Sequence, residues 1–204
     1  MKMLEGKTVL VTGAGLGVGR AIALACAEAG ANVAVNDIGA TLHGDPSGDS
    51  PAAKVTHEIQ SAGGNAITLT DSVADWNAAH SMIETTIKAF GSIDAVINNA
   101  GNLRDVIFHK MSEEDFDAVV NVHLKGCFNM SRAAAPYFKE HSGGALLHMT
   151  STSGLVGNFG QANYCAAKLG IVGLSKAIAL DMQRFGVRSN AVAPFAWTRM
   201  VSSI

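Results

Sequence analysis

The sequence predicts an α/β fold: one parallel sheet, doubly wound, with helices on both faces. Three observations predict it. Short β-branched runs alternate with longer helical stretches along nearly the whole chain. The first of these runs passes directly into a glycine-rich turn that opens a helix. The 204 residues are 48% hydrophobic and 16% charged, which suits a single globular domain with a real core.

The elements follow in order. "KTVLVT" (Lys7–Thr12) reads as a buried strand and "GRAIALACAEAG" (Gly19–Gly30) as a helix stopped by glycine. "ANVAVND" (Ala31–Asp37) is a second strand. A polar loop rich in Gly, Ser, Asp and Pro runs from Gly39 to Pro51 and leads into a helix, "AAKVTHEIQSAG". Strand three is "NAITLT" (Asn65–Thr70). A helix near Trp76–Phe90 and a fourth strand, "IDAVIN" (Ile93–Asn98), come next. One long helical stretch is expected from Glu113 to about Lys139. The remaining expectations are a strand over Gly144–Ser151, a helix over Ala162–Phe185 and a sixth strand over Val187–Ala193. No repeat of solenoid length is present.

Composition narrows the function classes. The net charge is −2 with no basic block, so a nucleic-acid surface is not expected. Cys26, Cys127 and Cys165 are widely spaced and odd in number, which fits a reducing compartment and neither a disulfide framework nor a zinc site. The histidines show no paired metal-ligand spacing. No stretch is long and apolar enough for a membrane span, and the opening segment has no signal-peptide pattern, so a cytoplasmic protein is expected.

The turn after the first strand is "TGAGLGVGR". Gly13, Gly17 and Gly19 bracket it, and glycine there permits positive φ and lets a phosphate approach the backbone. The N–H groups at the start of the helix favour an anion. The second strand ends in Asp37, where a carboxylate can hold the ribose hydroxyls of an adenosine and repel a 2′-phosphate. Ile38, Gly39 and Ala40 supply no arginine to neutralise such a phosphate, so the expectation is NAD rather than NADP. The alternative for Asp37 is a strand-end turn residue or helix cap.

In "GQANYCAAKLG" (Gly160–Gly170), Tyr164 and Lys168 are one helical turn apart and share a face. The spacing alone is common, and a tyrosine packed beside a lysine stem is the plain alternative. The chemistry is more pointed. A phenol titrates near 10, so a nearby cation is needed to favour the phenolate. A tyrosine so placed can take the proton of an alcohol while its hydride leaves to a nicotinamide. Ser151 closes the preceding strand, 13 residues before Tyr164, where its hydroxyl can hold the substrate oxygen.

Together, "TGAGLGVG", "NNAG" (Asn98–Gly101), Ser151 and "YCAAK" resemble the short-chain dehydrogenase/reductase family, with its Rossmann fold, over Lys7 to Met200. The resemblance implies Tyr164 as acid/base, Ser151 as the group that positions the carbonyl oxygen, and Lys168 as the cation that lowers the tyrosine pKa and binds the nicotinamide ribose. It implies cofactor contacts at Gly13, Leu16, Gly17, Gly19 and Asp37, and at Asp71 and Ser72 after the third strand. Asn98, Ala100 and Gly101 would lie against the cofactor, and Thr198 against the nicotinamide amide. Gln161 would join Ser151 and Tyr164 at the substrate.

A finer likeness lies in "VNDIGA", "NLRD" (Asn102–Asp105), "VHLKG" (Val122–Gly126) and "GNFGQANY" (Gly157–Tyr164). These look like the (3R)-hydroxyacyl-CoA dehydrogenase part of peroxisomal multifunctional enzymes and their bacterial relatives. That implies NAD-dependent oxidation of a 3-hydroxyacyl thioester. The alternatives are a 3-oxoacyl-thioester or general carbonyl reductase, and a non-catalytic dinucleotide-binding scaffold. The family also implies a homodimer or homotetramer.

Two departures stand out. His123 occupies a position where most of the family has an asparagine that holds a water in a proton relay. An imidazole can relay protons near neutrality, or it can simply hydrogen-bond the backbone. In "PFAWTRMVSSI", Phe195 replaces the family's glycine, and the family's substrate lid and seventh strand would lie beyond Ile204. A single NAD-binding domain over residues 1–204, incomplete at its C-terminal end, is the expectation.

Overall fold

The computed structural model describes residues 2–40, 43 and 50–195. Six strands form one sheet: β1 (Thr8–Thr12), β2 (Asn32–Asn36), β3 (Asn65–Leu69), β4 (Ala95–Asn98), β5 (Gly144–Met149) and β6 (Val187–Val192). Their order is β3-β2-β1-β4-β5-β6 and every pairing is parallel. The helices are α1 (Gly17–Glu28), α2 (Pro51–Ser61), α3 (Trp76–Phe90), α4 (Glu113–Val120), α5 (Gly126–Glu140), α6 (Thr152–Val156) and α7 (Ala162–Met182).

Strand alternation divides the core in two. Leu10, Ala34, Val96 and Leu146 face α3 and α5, where Met82, Ile83, Met130 and Phe138 meet them. Val9, Val11, Val33, Val35 and Ile97 face the other way, toward Ala23 of α1 and Val55 and Ile59 of α2. All five residues of β1 are buried, which explains why it reads as an unbroken apolar run rather than an alternating one.

Local signals set the helix ends. Asp75 caps α3 by accepting from the Ala78 N–H at 2.7 Å, and Gly91 ends it in the left-handed conformation at φ 79°. Ser112 and Asp115 form a reciprocal capping box at the start of α4. Ser50 and Pro51 open α2.

The expected elements differ from the structure at several places. The long helix from Glu113 is α4, then a π-helical turn over Asn121–Lys125, then α5. Helix α1 begins at Gly17, two residues before the expected start. The short helix α6 was not expected at all.

Strand order reverses at β1, which has β2 on one side and β4 on the other. The chain leaves β1, β2 and β4 at the same end of the sheet, and a crevice opens there. In doubly wound sheets this is where ligands bind.

Candidate active site

One cavity of about 550 Å³ occupies that crevice. It runs from Gly13, Leu16 and Gly17 at the end of β1, past Asp37, to Ser151, Tyr164 and Lys168.

At one end, Gly13 and Gly17 have φ of 62° and 55°. A side chain on Gly13 would drive its Cβ to 2.7 Å from the Ala100 Cα, whereas a Cβ on Gly17 would meet nothing within 4 Å. Open space therefore lies over the first turn of α1. Leu16 gives that helix no side-chain cap, so its leading N–H groups are available to an anion. Gly19 does not line the cavity. Its missing side chain lets the Gly13 carbonyl and the Asn99 amide approach, where a Cβ would fall within 2.4 Å of both.

Asp37 lines the cavity and is held in place. Its Oδ2 accepts from the Gly15 N–H at 3.0 Å and its Oδ1 from the Gly39 N–H at 2.9 Å. Ser72 lines the wall, while Asp71 is exposed and outside the lining.

Ala100 and Gly101 line the cavity, but Asn98 does not. It points the same way as Val96, under the sheet, and its amide reaches Ser131 and His148 at 3.2 Å each. Its neighbour Asn99 lines the cavity instead. The Asn99 amide donates to the Thr12 and Gly13 carbonyls at 3.0 Å each, tying β4 to the phosphate loop. The Thr12 hydroxyl accepts from the Asn99 and Ala100 N–H groups at 2.9 and 3.0 Å.

At the other end, Ser151 begins α6 and its hydroxyl oxygen accepts from the Ser153 N–H at 3.2 Å. Tyr164 and Lys168 lie on one face of α7, with the Lys168 ammonium 5.4 Å from the Tyr164 ring centre. Lys168 is 4% exposed, and its Nζ donates to the Met149 carbonyl at 2.6 Å. Burial lowers its pKa from 10.5 to about 8.

The phenol behaves differently from the sequence expectation. Burial pushes the Tyr164 pKa up, the nearby Ser151 hydroxyl pulls it down, and Asp105 and Cys165 add to the rise. Burial wins, so in this structure the lysine does not hold the phenol below its ordinary range. The group as it stands is a proton donor.

His123 sits in the π-helical turn, 1% exposed, with its ring edge-on to Tyr164 at 5.2 Å. Such turns recur at functional sites because one extra residue re-aims a side chain. The Nε2 lies 3.1 Å from the Asn102 nitrogen and 2.9 Å from its carbonyl oxygen. It accepts from the first in one tautomer and donates to the second in the other. Among the described residues the Nδ1 has no partner. Burial lowers its pKa to about 3, with Lys168 pushing the same way, so the ring is neutral at ordinary pH. A relay through an imidazolium near neutrality does not fit this environment. A neutral ring whose Nδ1 either gives or accepts a hydrogen bond does. Gly101 makes room for it: a Cβ there would lie 2.3 Å from the imidazole.

Gln161 is buried but does not line the cavity. It donates to Asp105 at 2.8 Å and accepts from Asn158 at 2.9 Å, so both ends of its amide are already engaged. Thr198 lies outside the described residues, as does most of the expected lid. Sequence reading missed Asn163. It is fully buried, its amide donates to the Arg104 and Asp115 carbonyls, and its oxygen accepts from the Tyr164 N–H at 2.7 Å. It pins the first turn of α7, and so the phenol, to the neighbouring loop and helix. The only signal was its place beside the tyrosine.

Cys26, Cys127 and Cys165 are unpaired thiols. Among the described residues no group of three His, Cys, Asp or Glu side chains is placed to hold a metal, and no helix is long and apolar enough to cross a membrane.

The sequence matches the short chain dehydrogenase family model over residues 7–203. It is 48% identical to a short-chain type dehydrogenase/reductase of Mycobacterium tuberculosis, over all of this chain and 71% of that protein. It is 47% identical to mouse peroxisomal multifunctional enzyme type 2, over 98% of this chain but only 27% of that protein. The crystal structure of a short chain dehydrogenase from Mycobacterium avium superposes with a TM-score of 0.89 at 48% identity, covering 97% of this chain and 70% of that one. These matches run over nearly the whole chain, and the chain belongs to the short-chain dehydrogenase/reductase family of oxidoreductases.

Proposed function

We propose that this protein is an NAD-dependent dehydrogenase that oxidises a secondary alcohol, a (3R)-3-hydroxyacyl-CoA, to the 3-oxoacyl-CoA. The observation that carries the reading is the single cavity that joins the uncapped start of α1 and Asp37 to Ser151, Tyr164 and Lys168. The acyl-CoA substrate is supported by the loop motifs quoted above and by the 47% identity to the mouse multifunctional enzyme.

When bound, the nicotinamide supplies the hydride acceptor. The protein's own residues do the rest. The first turn of α1 meets the phosphates and Asp37 takes the adenosine ribose. The Ser151 hydroxyl donates to the substrate oxygen, Tyr164 as phenolate takes that oxygen's proton and becomes a phenol, and Lys168 supplies positive charge beside the phenolate that starts the step. The reverse reaction needs Tyr164 as the acid. The three unpaired thiols suit a reducing compartment, and we place the activity in the cytoplasm. Exposed Phe116, Phe128, Leu169 and Leu180 on α4, α5 and α7 support a homodimer or homotetramer.

The test is the absorbance of reduced nicotinamide, with NAD or NADP and each enantiomer of 3-hydroxybutyryl-CoA. The expected result is turnover with NAD and the (3R) thioester. Reduction of acetoacetyl-CoA with no measurable oxidation across pH 7–10 would favour the reductase alternative instead.

Two further outcomes are expected. NAD binds at least about tenfold more tightly than NADP, because about 1.4 kcal/mol of repulsion between Asp37 and a 2′-phosphate suffices. Asp37→Ala narrows that gap in a fluorescence titration, and equal affinities in the unmutated protein would contradict the assignment. His123→Ala lowers kcat about tenfold with NAD affinity little changed, and His123→Asn restores much of it. Because the ring stays neutral, the kcat profile between pH 6 and 8 carries no step that His123→Asn removes.

A further inference from the structure

A buried histidine outside every expected site residue lies in the strand that leads to Ser151. His148 of β5 is fully buried, on the face of the sheet from which Val96 and Leu146 meet α5. An imidazole in such a place needs partners for both ring nitrogens. Both are engaged. The Asn98 amide nitrogen, at the end of β4, lies 3.2 Å from Nδ1 and 3.2 Å from the Ser131 hydroxyl of α5. An amide nitrogen only donates, so Nδ1 accepts and the ring proton sits on Nε2. That nitrogen lies 3.2 Å from the Ser189 hydroxyl of β6, which lies 2.9 Å from the Ser175 hydroxyl of α7. Burial lowers the His148 pKa to about 4, so at neutral pH the ring holds this one proton and the chain is complete.

Ser175 follows Lys168 by two helical turns and shares its buried face on α7. The residues after His148 reach the same helix in turn. The Met149 carbonyl accepts from the Lys168 ammonium at 2.6 Å, and the Thr150 hydroxyl donates to the Lys168 carbonyl at 2.6 Å. Ser151 follows in the cavity wall. Two ties from β5 thus sit at Lys168 itself, and a helix held at one turn can still pivot about it. The His148 chain adds a third tie two turns along.

On the dehydrogenase reading above, we infer that His148 is a positioning residue for the reaction: through Ser189 and Ser175 its Nε2 fixes the tilt of α7, and so the places of Tyr164 and Lys168 relative to Ser151. The Nε2 arm reaches the catalytic helix. The Nδ1 arm, through Asn98, reaches α5 and anchors the ring. A displacement of about 1 Å at the reacting groups can cost about a hundredfold in rate, so a remote tie of this kind registers in turnover before it registers in cofactor affinity.

Turnover of (3R)-3-hydroxybutyryl-CoA with NAD, NAD affinity by fluorescence titration, and thermal melts of the same samples test this. Glutamine sets its amide nitrogen near the place of Nε2, whereas asparagine reaches only to the place of Nδ1. His148→Gln therefore keeps the arm to α7 and His148→Asn loses it. His148→Asn and Ser175→Ala are expected to lower kcat about tenfold and about fivefold, with NAD affinity within about twofold, while His148→Gln keeps at least about half of kcat. Melts above the assay temperature show that the loss belongs to folded protein. Unchanged kcat in Ser175→Ala would overturn the inference while leaving the dehydrogenase reading intact. Equal losses in His148→Gln and His148→Asn would overturn it too, since the Nε2 arm would then not be what matters. Where both His148 variants fail to fold, Ser175→Ala, which removes a single hydroxyl, decides by the same kcat criterion. An unmutated protein with no turnover would overturn the dehydrogenase reading, and the role of His148 with it.

Discussion

Tyr164→Phe is expected to lower turnover about a hundred- to ten-thousandfold while leaving NAD affinity within about twofold. The range is what a positioned acid/base contributes. The substitution removes one oxygen and keeps the ring that packs against His123 and Lys168, so fold and cofactor site survive. The pH profile of the unmutated protein carries a second expectation. Burial raises the phenol pKa, so Tyr164 is protonated across neutral pH in the free protein. Oxidation of the alcohol needs phenolate and speeds up as pH rises. Reduction needs the phenol and slows over the same interval. A variant that keeps more than a tenth of the rate, or an oxidation rate that falls as pH rises from 6 to 7.5, where Lys168 still holds its proton, would show that the proton goes elsewhere.

Lys168→Met is expected to abolish most activity, by about a hundredfold or more, and yet to make the protein without bound cofactor more stable at neutral pH. The activity loss follows from removing the fixed positive charge beside the reacting oxygen. The stability gain follows from burial. The lysine pKa is lowered from 10.5 to about 8, so the folded state binds its proton less well than the unfolded chain does. Below about pH 8 the ammonium is charged in both states, and the folded state carries the whole cost, about 3 kcal/mol. Leaving the Met149 carbonyl without its donor takes back about 1 kcal/mol, so a net gain of about 2 kcal/mol is expected at pH 7. Between pH 8 and 10.5 only the folded lysine loses its proton, so the unmutated protein gains stability and the advantage of methionine fades. Denaturant melts at pH 7 and pH 10 measure it. A variant less stable than the unmutated protein at pH 7 would contradict the account. It would mean the Met149 contact outweighs the cost of burying the charge.

The strands were legible because parallel strands buried on both faces are written as short β-branched runs, and β1 and β2 are nearly pure examples. The π-helical turn was not legible. Nothing in "VNVHLKG" separates a π turn from an α-helix, since the extra residue is fixed by what His123 must reach on the neighbouring loop. Asn98 and Asn99 show a different limit. The motif "NNAG" was read as a block, yet strand alternation sends Asn98 with Val96 toward α5, and only Asn99 into the cavity. That distinction follows from period two and could have been drawn. The direction of the Tyr164 shift could not, because it depends on how deeply α7 buries the ring.

In the proposed reaction this cavity passes a hydride from an alcohol carbon to a nicotinamide. Mass spectrometry after incubation with NAD and (3R)-3-hydroxybutyryl-CoA carrying deuterium at C3 tests it most directly. The deuterium is expected in the reduced nicotinamide, with 3-oxobutyryl-CoA formed in equal amount. Consumption of the thioester with no deuterium in the nicotinamide would contradict it.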